Sequence, residues 1–528
     1  MPELTARESL PAFLQTLDGS RLALEYGAER WRVADLRGAV SAAARGLAGL
    51  GIGAGDCVGL WLPNIPAWIV LFFACAELGA IALSVNTRFR SHELADILGR
   101  SKCKALVYWP HFKAIDFADI LRGVEAEAIA AIEELVVYQE DDAPLENPLP
   151  GARLTRYADL KLAGHTYLGA ATPDARCVIF TTSGTTKAPK FVCHRQATVV
   201  QHARDVVPAF EFDAPGSLVL QALPLCGVFG FTQALAALAA GTPMIVMPVF
   251  EAEGAARIVI ERGITHCQGV DDMIDRMLAA RPEPQPFPTL RYFGYARFNP
   301  ALEDIVERAE ARGVILRGLY GMSEVHALYA LQPLELPTAE RRKGGGKPVS
   351  PRASVRVRDP ESGKVLDVGE HGEIELMGPS VMVEYYGDEQ ATAEAFTDDG
   401  YFKTGDLGYL EDDGRFCYIT RMGDVLRLAG FLTSPQEIET VLDEHPEVAN
   451  SQVVGATIDS QPSAVAFVIM ESGYTLDEAA LQTWCRERLA GYKVPRRIFA
   501  LAEFPTTLSA NGTKIQRAKL RTLAAERV

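Results

Sequence analysis

One short stretch constrains this chain more than any other: an apolar run from Cys177 to Phe180 that leads directly into a loop of hydroxyl residues and glycine. The loop consists of Thr181, Thr182, Ser183, Gly184, Thr185 and Thr186, and it is followed by Lys187 and Lys190. Hydroxyls, backbone amides and an ammonium group are what a polyphosphate needs around it. The spacing differs from that of the P-loop of NTPases. The pattern predicts a strand followed by a phosphate-binding loop or, on composition alone, a surface turn.

The length and composition indicate a globular protein of at least two domains. A chain of 528 residues exceeds what one hydrophobic core usually serves, and its hydrophobic and charged fractions, 48% and 23%, are ordinary. The net charge of −16 argues against a general nucleic-acid surface. The nine cysteines are scattered and include no C-x-x-C pair, which predicts reduced thiols in a cytoplasmic protein and no zinc site.

The segment 67–85 is the one part of the chain that must be tested as a membrane span. It carries a single charge, Glu77, and is nearly long enough to cross a bilayer. Gly79 divides it, and two prolines precede it. We therefore expect a buried helix over 67–78 followed by a buried strand over 80–85, with no stable membrane insertion. The N-terminal residues also lack the basic-then-apolar pattern of a signal peptide.

The order of elements predicts an α/β fold. Helical stretches such as 33–49 alternate with short apolar runs, which favours parallel sheets covered by helices. From residue 352 to 418 the hydrophobic pattern changes to a period of two, which indicates antiparallel strands. A new unit begins near Arg421, and Ser434-Pro-Gln-Glu437 predicts a capping box at the start of a helix in it.

Further segments carry polar groups that packing does not require. Glu324 ends a glycine-flanked aromatic segment and could hold Mg²⁺, or it could simply begin a helix. Asp406 is predicted to lie in a tight turn, where it could bind ribose hydroxyls or serve the turn alone. The segment 420–424 joins the two proposed domains, Gly430 follows it, and Lys514 lies on a turn near the C-terminus. Each of these signals is weak by itself.

Together and in this order, these segments resemble the signatures of the adenylate-forming superfamily, which contains acyl- and aryl-CoA synthetases, luciferases and carrier-loading adenylation domains. The resemblance runs from about Trp31 to Arg521. The matching segments are 78–88 for the second signature, 181–190 for the phosphate loop, 320–324 for the adenine and magnesium signature, 401–406 for the ribose signature, 421–439 for the hinge and CoA-facing segment, and 509–517 for the C-terminal lysine signature.

The resemblance implies an α/β multidomain fold. Its large N-terminal domain, residues 1–421, would consist of two α/β sheets plus a distorted β-barrel, and a small mobile α+β domain would occupy residues 422–528. It also implies chemistry in two halves. A carboxylic acid and ATP would give an acyl-AMP and pyrophosphate with the help of Mg²⁺, and the thiol of CoA would then take the acyl group.

The resemblance assigns catalytic roles to Lys514, Thr181 and Glu324, with Glu324 also holding the metal. ATP and CoA would be bound by the other residues of the signatures, namely Thr182, Ser183, Gly184, Thr185, Thr186, Lys190, Ala296, Arg297, Tyr320, Gly321, Met322, Ser323, Asp406, Arg421 and Gly430. The acyl pocket would be lined by Cys226, Gly227, Phe229, Gly294, Tyr295 and Gly318. Rotation about Gly423 would withdraw Lys514 and bring Gly430 beside a tunnel for the pantetheine arm of CoA.

Several positions depart from the family pattern. Lys187 replaces a glycine of the phosphate loop, and Gly227 stands where most members have a histidine at the mouth of the acyl pocket. Tyr295 places a ring where a glycine is usual, and Gly423 occupies a hinge position where lysine or aspartate is usual. We therefore expect an acyl pocket that is closed on the Tyr295 side and open towards Gly227.

The sequence predicts an AMP-forming acid:CoA ligase. An enzyme that loads a carrier protein would use the same active site, so this alternative stays open. A catalytically silent binding protein would keep the fold, but the presence of Lys514, Glu324 and Asp406 argues against it. No motif identifies the acid, which could be fatty, alicyclic, aromatic or larger.

Overall fold

The computed structural model describes residues 8–113, 115–141, 143–162, 165–182, 189–299, 302, 304–428, 431–459, 461–489, 491–509 and 512–528, and it describes the backbone alone at 427, 431–432, 508–509 and 512–514. Up to residue 421 the strands are β1 (Leu22–Tyr26), β2 (Glu29–Arg32), β3 (Cys57–Trp61), β4 (Ile81–Ser84), β5 (Ala105–Tyr108), β6 (His111–Phe112), β7 (Ile115–Asp116), β8 (Glu134–Val137), β9 (Arg153–Arg156), β10 (Arg176–Thr181), β11 (Phe191–Arg195), β12 (Val219–Gln221), β13 (Met244–Val246), β14 (His266–Val270), β15 (Tyr292–Ala296), β16 (Leu316–Tyr320), β17 (Ala330–Leu331), β18 (Gly344–Pro348), β19 (Ser354–Arg358), β20 (Gly372–Met377), β21 (Glu384–Tyr385), β22 (Phe402–Leu410) and β23 (Phe416–Arg421).

The helices of the same part are α1 (Leu10–Thr16), α2 (Val33–Gly49), α3 (Pro66–Leu78), α4 (Ser91–Arg100), α5 (Phe117–Arg122), α6 (Tyr157–Leu160), α7 (Gln196–Ala209), α8 (Val228–Ala240), α9 (Ala252–Arg262), α10 (Asp271–Ala279), α11 (Ile305–Glu310), α12 (Thr338–Arg341) and α13 (Glu389–Glu394). Helices and strands alternate along most of this part. The α/β class predicted from the sequence is therefore confirmed.

Two large sheets organise these elements. The first has the strand order β21-β11-β10-β4-β3-β5-β8-β9. Its strands are parallel from β10 to β9, whereas β11 is antiparallel to both β10 and the edge strand β21. The second has the order β19-β20-β22-β23-β18-β17-β16-β15-β14-β12-β13-β1-β2. It is parallel between β1 and β16, and antiparallel from β16 to β19.

The antiparallel arm of the second sheet, for which a distorted β-barrel was expected, consists of β17, β18, β19, β20, β22 and β23. In the described residues the arm ends at an edge, β19, and does not close on itself. The period-two pattern therefore predicted the antiparallel strands correctly. The expected barrel is not closed among these strands, because closure depends on which strand edges meet and not on the local pattern of any one strand.

Helix α3 explains the apolar segment that resembled a membrane span. Pro66 occupies its first turn, and Gly79 ends it in the left-handed conformation (φ 70°). All of its residues except Glu77 are buried, so the helix is apolar on every side because it lies inside the core. No helix among the described residues is long and apolar enough to cross a membrane.

The C-terminal part is a small α+β unit. Its elements are β24 (Leu426–Leu428), β25 (Phe431–Thr433), α14 (Pro435–Asp443), β26 (Val448–Ile458), β27 (Gln461–Met470), α15 (Glu478–Arg488), β28 (Arg497–Ala500), β29 (Thr506–Ser509), β30 (Gly512–Ile515) and α16 (Arg517–Arg527). Strands β26 and β27 are antiparallel, and β28 is parallel to β27. Ser434 caps α14, but Glu437 pairs with Lys493 instead of completing a capping box.

The hydrophobic core divides along the chain. Among the described residues, three clusters of buried side chains draw only on residues up to Tyr418, and two others draw only on residues from Leu426 onwards. The segment between them carries Arg421 and Gly423. The predicted boundary at 421/422 therefore falls in a stretch that belongs to neither set of clusters, although it stays a prediction.

Candidate active site

The hairpin of β10 and β11 presents the two ends of the predicted phosphate loop. Thr181 is the last residue of β10 and lies opposite Phe191. The amide of Thr182 donates to the carbonyl of Lys190 (3.0 Å), and the amide of Lys190 donates to Thr182 Oγ1 (3.2 Å). The Thr182 hydroxyl thus helps close the loop. The residues between them that were predicted to bind phosphate, Ser183, Gly184, Thr185 and Thr186, lie outside the described residues, as does Lys187.

Glu324 and Lys190 contact the same aromatic side chain, that of Tyr385. Glu324 is 6% exposed and sits in a 3-10 turn, Ser323–Val325, that follows β16. The phenol of Tyr385 donates to Glu324 Oε1 (3.0 Å), and the ammonium of Lys190 lies 4.3 Å from the centroid of the same ring. Sequence reasoning missed Tyr385, because only the pairing of β21 with β11 distinguishes it from Tyr386 beside it.

Two histidine side chains donate hydrogen bonds to the backbone at the turn that carries Glu324. His326 and Ala327, directly after it, have φ values of 65° and 50°, in the left-handed region that non-glycine residues rarely adopt. His194 Nε2 donates to the Ser323 carbonyl and His202 Nε2 to the Ala327 carbonyl, each over 2.8 Å. Because a carbonyl only accepts, both Nε2 atoms carry the proton.

These imidazoles are neutral. The rings of His194 and His326 stack with centroids 3.5 Å apart, and the ring of His202 is stacked with that of His326 at 5.7 Å. Burial lowers the pKa of His194 to about 3 and the pKa of His202 to about 4. Burial also lowers the pKa of His326 well below its usual value, and the neighbouring imidazoles lower it further. The sequence contained no spacing that would predict this stack.

Tyr320, Asp406 and Arg421 form the next part of the site. The phenol of Tyr320 donates to Asp406 Oδ2 (2.5 Å), and Arg421 Nε lies 3.1 Å from Asp406 Oδ1. Burial raises the pKa of Asp406 to about 6, although Arg421 and Tyr320 both act to lower it. Asp406 and Arg421 are register partners on β22 and β23.

Asp406 does not lie in a tight turn, as the sequence suggested. It lies within β22, and the turn comes earlier, where Gly400 has a φ of 89° and Tyr401 donates its amide to Thr397 Oγ1. Gly405 mimics a turn in the sequence because it adopts a φ of 67° inside the strand. This conformation makes β22 irregular beside Asp406, but the strand continues beyond it.

The segment after β15 carries the residues predicted to flank adenine. Ala296 is the last residue of β15, and Arg297 is exposed beyond it. The buried carboxylate of Asp271 accepts the amides of Phe298 (2.8 Å) and Asn299 (2.7 Å) and so fixes the backbone after Arg297. Asp271 is another positioning group that sequence reasoning missed.

The predicted acyl-pocket residues lie on the paired strands β15 and β16 and at the N-terminus of α8. Tyr295 is 2% exposed, and its phenol donates to the Arg342 carbonyl (2.8 Å). Gly294 donates its amide to Gln268 Oε1, and a Cβ at Gly294 would lie 2.1 Å from that oxygen. A Cβ at Gly318 would lie 2.0 Å from the Lys343 carbonyl oxygen. Close backbone packing therefore requires glycine at 318, whereas at 294 the close contact is with the Gln268 side chain.

The third of these elements is the N-terminus of α8. Gly227 is the residue that precedes the helix, and Cys226 and Phe229 on either side of it are buried. Burial raises the pKa of the Cys226 thiol to about 11, so the thiol stays protonated at neutral pH.

Gly321 and Met322 begin the turn after β16; a Cβ at Gly321 would lie 2.5 Å from the Ala327 Cα.

The hinge candidate Gly423 lies in a 3-10 turn, Met422–Asp424. Its φ lies outside the left-handed region, and a Cβ there would meet nothing within 4 Å. Arg521 Nη1 donates to its carbonyl (2.8 Å) and pairs with Asp424 Oδ1 (3.0 Å). In this arrangement neither the backbone angles nor the space at this position require glycine.

The C-terminal lysine and the CoA-facing glycine are described only in part. Lys514 lies on β30, where its backbone pairs with Thr507, and its side chain lies outside the described residues. Gly430 lies outside them as well. From the same C-terminal part, Gln436 lies beside Arg297 and, with its amide oxygen turned to the guanidinium, accepts a hydrogen bond of 3.2 Å.

The chain is similar to known proteins over most of its length. Residues 16–386 match the family model described as AMP-binding enzyme, and residues 437–511 match that of the AMP-binding enzyme C-terminal domain. A sulfoacetate–CoA ligase of Cupriavidus necator is 32% identical over 90% of this chain and 89% of that protein. A 2-succinylbenzoate–CoA ligase of Geobacillus kaustophilus is 30% identical over 96% of each.

Solved structures also match the fold of this chain. ATP-bound MatB from Rhodopseudomonas palustris is 26% identical and matches with a TM-score of 0.82 over 98% of both chains. A MenE structure from Bacillus subtilis in complex with AMP, at 24% identity and a TM-score of 0.79, shares the fold. The family models together span most of the chain, and the chain belongs to the family of AMP-binding enzymes.

Proposed function

We propose that the protein is an AMP-forming acid:CoA ligase. In the first half-reaction a carboxylate oxygen attacks the α-phosphorus of ATP, the bond to the bridging oxygen breaks, and pyrophosphate leaves. In the second half-reaction the CoA thiol loses its proton and attacks the acyl carbon, and AMP leaves. The names of the two relatives above, both CoA ligases, support this reaction class.

One observation carries the proposal. Tyr320, which ends β16, donates to Asp406 Oδ2 (2.5 Å), and the 3-10 turn that carries Glu324 begins three residues after it. The acid predicted for the ribose and the acid predicted for the metal therefore belong to one site, although 82 positions separate them in the chain. A nucleotide held at Asp406 through its ribose would extend its phosphates towards Glu324 and Lys190.

The residues at the site have distinct tasks in the first half-reaction. Asp406 and Arg421 hold the ribose, and Tyr320 packs against the base beside Ala296 and Arg297. Lys190, Lys514 and the loop that begins at Thr181 stabilise negative charge as it moves onto the pyrophosphate. Fixed positive charge and hydrogen-bond donors directed at developing charge are commonly the largest contribution to catalysis.

The donor set fits Mg²⁺. Among the described residues no group of three or more His, Cys, Asp or Glu side chains could hold a metal, so a dedicated all-protein cage is not what they offer. Mg²⁺ usually binds through one or two carboxylates together with substrate phosphates and waters, and Glu324 supplies one such carboxylate. When bound, the ion neutralises charge on the phosphates.

The second half-reaction requires the C-terminal domain. We place the domain boundary at 421/422, in the stretch that neither set of core clusters includes, and the pivot at Gly423. Rotation about this stretch exchanges Lys514 for the segment around Gly430. A carrier protein remains the alternative acceptor, but the CoA ligase names of the relatives favour CoA.

A single assay separates the candidate functions. The enzyme is incubated with ATP, Mg²⁺, CoA and a panel of acids that range from short aliphatic to aromatic, and AMP, pyrophosphate and acyl-CoA are measured, with Glu324→Gln as the matched control. Acid-dependent AMP together with acyl-CoA is the expected result. Pyrophosphate release without acyl-CoA would favour a carrier protein as the acceptor, and no acid-dependent product would favour a binding protein.

A further inference from the structure

Tyr385 connects the two charged groups of the proposed phosphate and metal site. It lies on the short strand β21, at the edge of the first sheet, and pairs with Val192 of β11. The amide of Tyr386 donates to the Phe191 carbonyl (2.7 Å), and that of Val383 donates to the Cys193 carbonyl (3.0 Å). The segment is thus tied to the strand that begins directly after Lys190.

The same segment holds Glu324 at two points. The amide of Met382 donates to the Glu324 carbonyl (2.8 Å), and the Tyr385 phenol donates to Glu324 Oε1 (3.0 Å). Backbone and side chain of Glu324 are therefore both fixed relative to β21. Since a carboxylate rotates easily about its terminal torsion, one hydrogen bond to Oε1 is enough to select the direction of Oε2.

The chemistry of the phenol suits this task. A phenol donates hydrogen bonds and a carboxylate accepts them, so the Tyr385 hydroxyl is the donor in its 3.0 Å contact with Glu324 Oε1. The ring face meanwhile lies 4.3 Å from the Lys190 ammonium, within the range of a cation–π contact. One side chain thus contacts a cation through its ring and an anion through its hydroxyl.

We propose that Tyr385 is a positioning residue for the first half-reaction: it directs Oε2 of Glu324 towards the divalent cation and holds Lys190 beside the phosphates. This inference rests on the proposed function. Groups that orient a metal ligand by a hydrogen bond typically change metal affinity or activity by about 10- to 100-fold when they are removed.

The decisive variant is Tyr385→Phe, which keeps the ring and its contact with Lys190 and removes only the hydroxyl. Tyr386→Phe, one position along, is the matched control because it removes a hydroxyl from the same edge segment. Binding of Mn²⁺ in the presence of an ATP analogue with a methylene bridge between the α- and β-phosphates is measured by electron paramagnetic resonance. Thermal unfolding and the Mg²⁺ dependence of pyrophosphate exchange are measured in parallel.

We expect Tyr385→Phe to weaken Mn²⁺ binding by about 10-fold or more and to shift the Mg²⁺ titration by the same factor. Tyr386→Phe should match the wild type in both. Equal Mn²⁺ affinity in Tyr385→Phe and wild type would overturn the inference, even if the variant unfolds at a lower temperature. If the wild type itself shows neither Mn²⁺ binding with the analogue nor pyrophosphate exchange, it is the proposed function that fails.

A second variant separates the ring from the hydroxyl. Tyr385→Leu removes both, so compared with Tyr385→Phe it should raise the KM for ATP by a further few-fold through the loss of the contact with Lys190. In a Lys190→Met background this extra effect should vanish. A persistent difference between Leu and Phe in that background would show that the ring does not act through Lys190.

Discussion

The phenol of Tyr320 donates a hydrogen bond of 2.5 Å to Asp406 Oδ2, and this contact joins the end of β16 to the middle of β22. Asp406 is only 2% exposed, and Arg421 lies on its other oxygen. The residue proposed to pack on the base therefore helps to set the charge of the residue proposed to hold the ribose.

This contact makes the nucleotide site sensitive to pH. Because the pKa of Asp406 is raised to about 6, we expect kcat/KM for ATP to fall as the pH drops below about 6 and the carboxylate gains a proton. Asp406→Asn should lower kcat/KM about 10- to 100-fold and abolish this inflection, since a hydrogen bond to a charged group contributes about 1.5–3 kcal/mol. The measurement is a pH profile at limiting ATP.

Tyr320→Phe is the companion variant. The Tyr320 hydrogen bond lowers the pKa of Asp406, so its removal should move the inflection to higher pH. An inflection that stays in place, or moves to lower pH, would contradict the assignment of the profile to Asp406.

Lys514 should be needed for only one half-reaction. We expect Lys514→Ala to slow acid-dependent pyrophosphate exchange by about 100- to 1,000-fold, because it removes a charge from the transition state. Transfer from supplied acyl-AMP to CoA should change little. Lys519→Ala, at an exposed position of α16, is the matched control. Exchange at the wild-type rate in Lys514→Ala would refute the assignment.

Tyr295 is expected to be a wall of the acyl pocket. Its phenol is fixed to the Arg342 carbonyl, so the ring cannot swing aside to admit a larger acid. Tyr295→Gly should therefore shift the ranking of acids by kcat/KM towards bulkier members of a panel. Tyr295→Phe, which keeps the ring, should leave the ranking in place. An unchanged ranking in Tyr295→Gly would remove Tyr295 from the pocket.

Tyr295→Gly is also expected to lower the stability of the protein. Replacing a buried aromatic side chain by a small one commonly costs about 3–5 kcal/mol of unfolding free energy, so a substitution that removes less of the side chain is a useful addition. Tyr295→Leu should give the same direction of change with a smaller loss of stability.

Gly423 should affect domain rotation more than folding. A Cβ at this position would meet nothing within 4 Å, so Gly423→Ala should fold and act like the wild type in acyl-AMP formation. Gly423→Pro fixes φ and should slow the CoA-dependent half-reaction much more than the first. Single-turnover kinetics of each half-reaction provide the measurement. Equal slowing of both halves would place the pivot elsewhere.

The buried histidines should make the fold sensitive to acid. The pKa values of His194 and His202 are about 3 and about 4 in the folded protein, well below the ordinary value of about 6.5. Between these limits the unfolded chain binds more protons, so the free energy of unfolding should decrease as the pH falls from about 6.5 to about 4. Each histidine contributes a slope of about 1.4 kcal/mol per pH unit.

Urea unfolding between pH 4.5 and pH 8 measures this slope. His202→Asn should reduce the slope of the free energy of unfolding against pH by the contribution of about one proton. The variant also loses some stability at neutral pH, because it lacks the hydrogen bond to the Ala327 carbonyl. His92→Asn, at an exposed position of α4, is the matched control. A slope in His202→Asn that equals that of the wild type would show that acid acts on other groups.

The sequence by itself determined the local elements and the order of the signatures. Helix α2 spans Val33–Gly49, as the pattern predicted, and the apolar segment 67–85 divides at Gly79 into α3 and β4. These features depend on periodicity, proline and glycine, which act over a few residues. The signatures could be identified for the same reason, since each is a short run.

The tertiary structure alone decided which side chains support those signatures. The β21–β11 pairing brings Tyr385 to Glu324, and the packing of α7 brings His202 to Ala327, yet each pair is more than 60 positions apart. Asp406 lies in a strand because Gly405 takes a left-handed angle there without ending the strand. Register and sheet closure are set by long-range packing, so no local pattern could have predicted these contacts.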